Sequence, residues 1–369
     1  MFLSKGIGAI VMIKFTKLAA LCSLIALPTQ ALARDVNDLG VDLQAATSAY
    51  IVKNSNKRYP GSYNGSRLEG WALMSYVVDT HGKAKDIEVI MASDTRGSEE
   101  NAEKYLTNLE FAPATKEGKT VEGGYLFSFE VGKYFNGYSN DKASRGFINE
   151  YDEINKMLQA KEFNKAEQAL AELYKDHTKN TSEQALFAWL KSQYYYHQQQ
   201  WFGFDEQLSV AYLLRAKLPT DIQYLVAKSA LQWYSFKGDF NLAYNAIYAL
   251  DNIEGKQFSE ENKLATIKQI DDLLARTPQI NSQINVSKDK LSYLSLSRGS
   301  IKIEGASDVS KLQIRCADQV IDLEASESVN YVIDERSRRC GLLVKSANPA
   351  EIKVKQTGYA IVNSKYDAS

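Results

Sequence analysis

Apolar residues change their spacing twice along this 369-residue chain, and the two changes separate three kinds of structure. Residues 68–131 hold short runs in which apolar and polar side chains alternate, interrupted once by a stretch of helical spacing. Over residues 148–275 apolar side chains recur every three or four positions, and over residues 287–359 short alternating runs return. A period of two is typical of strands and one of about 3.6 of helices, so we predict a multidomain α+β protein.

The first 33 residues have the pattern of a secretory signal peptide. Lys14 and Lys17 precede a short apolar run over residues 18–27, and Ala31-Leu32-Ala33 supplies a small-x-small cleavage motif. We therefore expect cleavage after Ala33 and a periplasmic protein associated with the envelope. The apolar run is about half of the roughly 20 residues that cross a bilayer, so a retained N-terminal anchor is the less favoured alternative.

The first structured region, which we place at residues 34–135, is predicted to contain two strands, a helix and a further strand. Both faces of the first strand are largely apolar, and Asp79-Thr80-His81-Gly82 is a turn signal that joins it to the second. We expect a helix with Ser98 as its N-cap, which Pro113 ends. An alternating strand over residues 125–131 completes the region.

The second region, placed at residues 146–278, contains a weak internal repeat. Phe163, Phe202 and Phe240 stand 39 and 38 residues apart, each near the start of an amphipathic run. Around Phe163 and Phe240 the order of a small residue, an aromatic residue and Ala resembles the turn of a tetratricopeptide repeat, although that repeat has a period of about 34. We predict a degenerate array of three α-helical hairpins.

The third region, placed at residues 287–360, consists of short alternating runs separated by Gly, Asp, Ser, Asn and Pro. This pattern predicts a small β-sandwich. After removal of the signal peptide two cysteines remain, Cys316 and Cys340, each on the apolar face of its run. An even pair in an exported protein favours a disulfide, which would stabilise the fold by roughly 3 kcal/mol through closure of the loop between them.

Composition and motifs argue against several classes of function. The formal net charge is -1 and the chain has no polybasic block, so nucleic acid is not an expected partner. None of the three histidines, His81, His177 and His197, accompanies a Ser or Cys in a nucleophile motif. The sequence has no zinc-protease motif and no phosphate-binding glycine loop. We expect no enzymatic activity, no cofactor and no metal site.

Aromatic residues are frequent, with 22 Tyr in the chain, and several cluster in the helical region. The cluster includes Trp189, Trp201, Trp233 and the run Tyr194-Tyr195-Tyr196. These rings could form a recognition surface, since Tyr and Trp are enriched at interfaces. We favour the simpler interpretation that they pack between the predicted hairpins.

Residues 55–132 carry a set of motifs that resembles the C-terminal domain of the TonB family. The set consists of Tyr59-Pro60, the strand opening with Gly70-Trp71, the His81-Gly82 turn and the stretch Phe111-Ala112-Pro113-Ala114-Thr115. The sequence departs from the family pattern at Leu109-Glu110-Phe111, where many members have Trp before an Arg-Phe pair. The resemblance covers about a fifth of the chain and implies a domain that grips outer-membrane receptors.

In that family the last strand of the sheet offers an open edge, to which an extended receptor segment adds as a further strand. The resemblance implies that the partner-binding edge of this chain consists of Tyr125, Leu126, Phe127, Ser128, Phe129, Glu130 and Val131. The favoured function is a periplasmic protein-binding adaptor, accessory to TonB-dependent outer-membrane transport. Its expected partner is a protein, either an outer-membrane receptor or a component of the TonB system.

Two other functions stay open. With its N-terminal segment retained as an anchor, the chain would be an energy transducer of the TonB type. Such proteins have a long Pro-rich spacer, whereas the six Pro of this chain are scattered. Alternatively, the domain serves as a scaffold for envelope assembly. Its edge would then be covered by the helical region or by a second copy of the chain in a homodimer.

Overall fold

The computed structural model describes residues 46–55, 69–95, 97–131, 143–255 and 258–362. Within these ranges it has eight α-helices and sixteen strands, which confirms a mixed α+β structure. The predicted signal peptide lies outside the described residues. All described residues belong to one compact unit, Gln44–Ser369. None of the helices described is long and apolar enough to cross a membrane.

The first region contains eight strands and one helix. In chain order these are β1 (Ala46–Thr47), β2 (Tyr50–Asn54), β3 (Gly70–Val78), β4 (Ala84–Ala92), α1 (Ser98–Thr107), β5 (Leu109–Ala112), β6 (Ala114–Lys116), β7 (Lys119–Val121) and β8 (Gly123–Val131). An antiparallel sheet has the order β4-β3-β8, β2 pairs with β5, and β1-β6-β7 form a third small sheet. The predicted order of strand, strand, helix and strand is present, with three short strands inserted before the last.

The predicted limits of the helix in this region were wrong at both ends. Ser98 is the first helical residue, and the N-cap is Gly97, with φ 82° and no side-chain cap. The helix ends at Thr107, well before Pro113, because the following residues leave it as β5. There Phe111 pairs with Ile51 of β2. A strand whose partner is distant in sequence leaves no local signal, which explains the missed boundary.

Strand β3 is buried on both faces, which accounts for its doubly apolar sequence. On one face Met74 shares a core with Leu106 of α1. On the other face Trp71 joins the core of the helical region, and Ser75 accepts a hydrogen bond from Arg315 at 2.9 Å. The sheet of the first region therefore lies between α1 and the rest of the molecule.

The helical region contains seven α-helices, and consecutive α-helices pack on one another. They are α2 (Arg145–Gln159), α3 (Phe163–His177), α4 (Thr181–His197), α5 (Trp201–Leu213), α6 (Thr220–Lys237), α7 (Phe240–Asp251) and α8 (Glu260–Arg276). The repeated aromatic residues Phe163, Phe202 and Phe240 lie in the first turns of α3, α5 and α7. Phe240 is fully buried and Phe202 is exposed, so equivalent places in sequence are not equivalent in packing.

The last region consists of two antiparallel four-stranded sheets. The strands are β9 (Ile280–Val286), β10 (Leu291–Ser295), β11 (Arg298–Glu304), β12 (Val309–Cys316), β13 (Gln319–Asp322), β14 (Ser328–Val332), β15 (Gly341–Ser346) and β16 (Ala350–Ala360). Their orders are β10-β15-β12-β13 and β14-β11-β16-β9, and both sheets contribute to one apolar core. The predicted disulfide is confirmed: Cys316 and Cys340 are bonded and buried in that core.

Polar contacts join the first region to the other two. The Glu69 carboxylate accepts hydrogen bonds from the backbone N–H and the hydroxyl of Thr181, each at 3.0 Å, at the start of α4. Glu88 of β4 forms ion pairs with Lys311 at 2.7 Å and with Lys345 at 3.6 Å, both in the β-rich region. These contacts fix the start of β3 against the helical region and β4 against the β-rich region.

Candidate functional site

Strand β8, which contains all seven residues of the predicted partner-binding edge, lies at the end of its sheet. It pairs with β3 along its whole length, from Gly123 opposite Val78 to Val131 opposite Gly70. Among the strands described, none pairs with its other edge. The outer backbone groups of a terminal strand are available to pair with a further strand.

Side chains of β8 point alternately to two faces. Tyr125, Phe127 and Phe129 lie on the face covered by α1, where the rings of Phe127 and Phe129 lie 6.0 and 5.1 Å from that of Tyr105. On the opposite face Leu126 is 43% exposed and Ser128 is exposed as well. The middle of β8 is therefore the part of the strand that a partner can reach.

Near its end Glu130 forms an ion pair with Lys217 at 3.0 Å, which holds this part of β8 against the helical region.

The beginning of β8 lies directly against the β-rich region. A Cβ on Gly124 would come within 2.4 Å of the Cβ of Arg315, so only glycine permits this approach. The Tyr125 hydroxyl donates to the Ala317 carbonyl and accepts from the Ala49 N–H, both at 2.7 Å. Burial raises the pKa of Tyr125, which keeps this hydroxyl protonated. The alternating pattern over residues 125–131 gives no sign of this contact, which depends on packing between regions distant in sequence.

A cavity of about 560 Å³ lies beside the first half of β8. It is lined by three parts of the molecule that are distant in sequence. The lining residues that matter below are Tyr50 and Ile51 of β2, Gly124 to Phe127 of β8, Asn241 and Asn245 of α7, and Ser295, Arg315 and Arg339 of the β-rich region. Of these, only Tyr125, Leu126 and Phe127 belong to the predicted edge, because packing alone brings the others to the same place.

Two of the lining side chains are buried, yet each has one polar atom without a hydrogen-bond partner among the described residues. Arg315 is 2% exposed; its Nε donates to Gln313 at 2.6 Å and its Nη1 to Ser75 at 2.9 Å, which leaves Nη2. Asn241 is 5% exposed; its Nδ2 donates to the Leu296 carbonyl at 2.8 Å, which leaves Oδ1. Both residues line the cavity, and each has one buried polar atom that no described residue satisfies.

Exposed apolar side chains stand beside the cavity. Tyr50, Ile51 and Val52 follow one another along β2 and are all exposed, and Leu126 of β8 lies beside the same cavity. Large apolar residues grouped on a surface are typical of binding sites. The sequence signal for β2 is a tyrosine followed by two β-branched residues, but the predicted strands of this region begin only after residue 67.

Some residues of the aromatic cluster in the helical region are buried between helices, and others are exposed on the surface. Trp189 and Tyr194 are buried, as expected for packing between helices. Trp201 is 46% exposed and stacks on Trp233 with ring centroids 5.9 Å apart. The three histidines lie apart from one another, and within the described ranges no group of His, Cys, Asp and Glu is arranged to hold a metal ion.

Comparison with known proteins identifies the family of the first region. Residues 55–131 match the family model for the C-terminal domain of the Gram-negative bacterial TonB protein. This match confirms the resemblance seen in the motifs and extends to the end of β8. No curated protein matches the chain.

One solved structure that matches is Streptomyces albus HEPD with its substrate 2-hydroxyethylphosphonate and Fe(II) bound. It is 9% identical, with a TM-score of 0.18, over 83% of this chain and 64% of that chain. The present chain therefore spans less than two thirds of that protein. A TM-score of this size does not indicate a shared fold.

Proposed function

We propose that this protein is a periplasmic adaptor that binds an extended segment of another protein by strand addition to β8. The observation that carries the proposal is the terminal position of β8 in its sheet, within the residues that match the TonB family. A TonB-like domain implies protein–protein interaction in general. The partner we propose is an outer-membrane receptor or another component of the TonB transport system.

Main-chain pairing alone would make this binding weak. Each added hydrogen bond contributes a net 0.5–1.5 kcal/mol or so, while ordering each residue of the partner costs roughly 1–2 kcal/mol. Side-chain contacts must therefore supply the difference. The exposed apolar residues Tyr50, Ile51 and Leu126 offer such contacts, at about 25 cal/mol for each Å² of apolar surface that the partner buries.

The other two regions act as a scaffold in this proposal. We interpret the helices as a degenerate tetratricopeptide-like array and the two sheets as a small β-sandwich. Helix α7 and the β-rich region supply part of the cavity wall beside β8. The binding site thus belongs to the whole molecule, with the TonB-like domain contributing the edge.

Hydrogen–deuterium exchange of the full mature chain tests the proposal. Peptides from receptor segments that face the periplasm should slow exchange in β8 and leave the central strand β3 unchanged, since β3 is already paired on both sides. A peptide with Pro at alternate positions should have no effect, because Pro donates no backbone hydrogen bond. Unchanged exchange in β8 with every peptide would contradict strand addition.

A matched pair of variants locates the effect. Leu126→Glu places a charge on the exposed middle of β8 and should weaken peptide binding about tenfold, because the apolar contact is lost. Val332→Glu makes the same change at an exposed residue of β14, a terminal strand of another sheet, and should leave binding unchanged. Equal effects of the two variants would rule out β8 as the binding edge.

Two further measurements separate the alternatives. N-terminal sequencing of the periplasmic protein should find residue 34 first, whereas an intact N-terminus in the membrane fraction would favour an anchored transducer. Light scattering should find a monomer if β8 is open. A dimer in which β8 is protected from exchange would favour a self-associating envelope scaffold.

A further inference from the structure

Two arginine side chains line the cavity beside β8. They belong to Arg315 and Arg339, and none of the described residues that line the cavity is Asp or Glu. Arg315 donates only to neutral groups, the Gln313 amide and the Ser75 hydroxyl. The charged side chains among the described lining residues are therefore both cationic.

Two of the carboxylates that act electrostatically on Arg315 have other partners. Glu88 forms ion pairs with Lys311 and Lys345, and Asp322 accepts a hydrogen bond from Gln313 at 2.6 Å. Asp86, Glu88 and Asp322 act on Arg315 only through longer-range electrostatic attraction. Buried charges in proteins are as a rule paired and hydrogen-bonded, and an unsatisfied buried donor is costly. Arg315 Nη2 is such a donor.

The position of the cavity connects it with β8. Gly124, Tyr125, Leu126 and Phe127 line both the cavity and the outer edge of β8. A segment that pairs with this edge passes the cavity, and alternate side chains of an added strand point to the same side. One side chain of the segment can then enter the cavity while its backbone stays paired with β8.

We propose that the cavity is a recognition pocket for an acidic side chain of the partner segment, an inference that rests on the proposed function. The carboxylate of a partner Asp or Glu accepts hydrogen bonds from Arg315 Nη2, with Arg339 adding positive charge. Asn241 Oδ1 accepts an N–H from the same segment. The pocket selects an anionic residue at one position, whereas the edge of β8 binds backbone of any sequence.

Binding of matched peptides to the full mature chain tests this inference. In a neutral, β-prone peptide with an amidated C-terminus, a single Glu is moved along the sequence, and each peptide is compared with its Gln counterpart by calorimetry. At one position Glu should bind roughly 10- to 100-fold more tightly than Gln, as expected for a charge-assisted hydrogen bond. The amidated terminus ensures that the side chain is the only carboxylate varied.

Variants assign the preference to the cavity. Arg315→Gln should abolish the preference for Glu, and Arg315→Lys should retain part of it. Arg336→Gln is the matched control, because Arg336 is an exposed cation of the same region that does not line the cavity. If Arg315→Gln does not fold, the comparison of Glu and Gln peptides on the unmodified chain still decides the question.

The outcomes are distinct for the two proposals. Equal binding of all Glu and Gln peptides, with protection of β8 from exchange, overturns the acidic pocket and leaves strand addition standing. A preference for Glu that survives Arg315→Gln also overturns the pocket. Absence of binding by every peptide overturns both.

Discussion

Asp239, the N-cap residue of α7, has a buried carboxyl group. We expect the charge of this group to have a large effect on the stability of the folded protein. It lies where the helical region meets the β-rich region and accepts a hydrogen bond from the Leu242 N–H at 3.3 Å. Burial raises its pKa from 3.8 to about 6, and Lys237, the Leu242 N–H and Ser295 offset only part of that effect. Because the folded protein binds this proton more tightly than the unfolded chain, protonation favours folding.

The raised pKa of Asp239 predicts how the stability of the protein changes with pH. The stabilisation due to protonated Asp239 is complete below about pH 4 and is lost as the pH rises through about 6. Asp239→Asn keeps an acceptor for the helix N-terminus without the charge. It should raise the free energy of unfolding at pH 8 by on the order of 1–3 kcal/mol and leave it nearly unchanged at pH 4. Urea unfolding at the two pH values measures the difference.

Glu88→Gln is the contrasting control. Burial opposes ionisation of Glu88, but the hydrogen bond and charge of Lys311 outweigh it and hold the pKa of Glu88 below its usual value. Its contribution to stability is therefore present at neutral pH and is lost as the pH falls through that lowered pKa. The control should destabilise the protein at pH 8 and lose its effect in acid. The same pH trend in both variants would contradict the assignment to Asp239.

At the scale of elements, the disulfide joins the end of β12 to the residue before β15. Its cysteines are 24 residues apart in sequence, and Cys340 lines the cavity beside Arg339. Replacing both cysteines with Ala should lower the free energy of unfolding by about 3 kcal/mol, since the unfolded chain gains the freedom of the open loop. Denaturant unfolding of the variant and of the oxidised and reduced parent measures this.

The same variant links the β-rich region to binding. Loss of the bond should loosen the strand ends that carry Arg315 and Arg339, and so weaken the preference for a Glu peptide. Hydrogen exchange in α2 to α6 should stay the same, because these helices pack away from the disulfide in a separate core. A variant as stable as the parent in its oxidised form would show that the loop is held by other contacts.

Elements with strong local patterns were predictable, and elements made by distant pairing were not. β8 follows from period-two alternation, and β3 follows from a short apolar run that ends at the turn motif beginning at Asp79. β5, β6 and β7 are three or four residues long and pair with strands elsewhere in the chain or across a tight turn. A run of that length is too short to show a period. For this reason the predicted helix, which ends at Pro113, includes the residues that form β5.

At the scale of the whole molecule, the TonB-like domain depends on its neighbours. Trp71 packs into the helical core, and Ser75 hydrogen-bonds with Arg315, so one face of β3 is covered only by the other regions. A fragment of residues 46–131 would expose this apolar face. Large exposed apolar patches promote association, and lost burial destabilises.

We therefore expect the fragment to unfold at lower temperature than the intact chain, or to aggregate. Scanning calorimetry of both proteins, with light scattering of the fragment, measures this. A fragment that is monomeric and melts with the intact chain would show that the interface contributes little. Ligand-binding experiments should use the intact chain for the same reason.

The sequence by itself determined the kinds of structure, the TonB-like motifs, the paired cysteines and the strand β8. These depend on periodicity, turn residues and short motifs, which act between neighbours in the chain. Only the tertiary structure decided that Tyr50, Asn241 and Arg315 meet beside β8, and that Asp239 is buried. Their proximity results from the packing of surfaces far apart in sequence, and no local pattern of residues encodes where such surfaces meet.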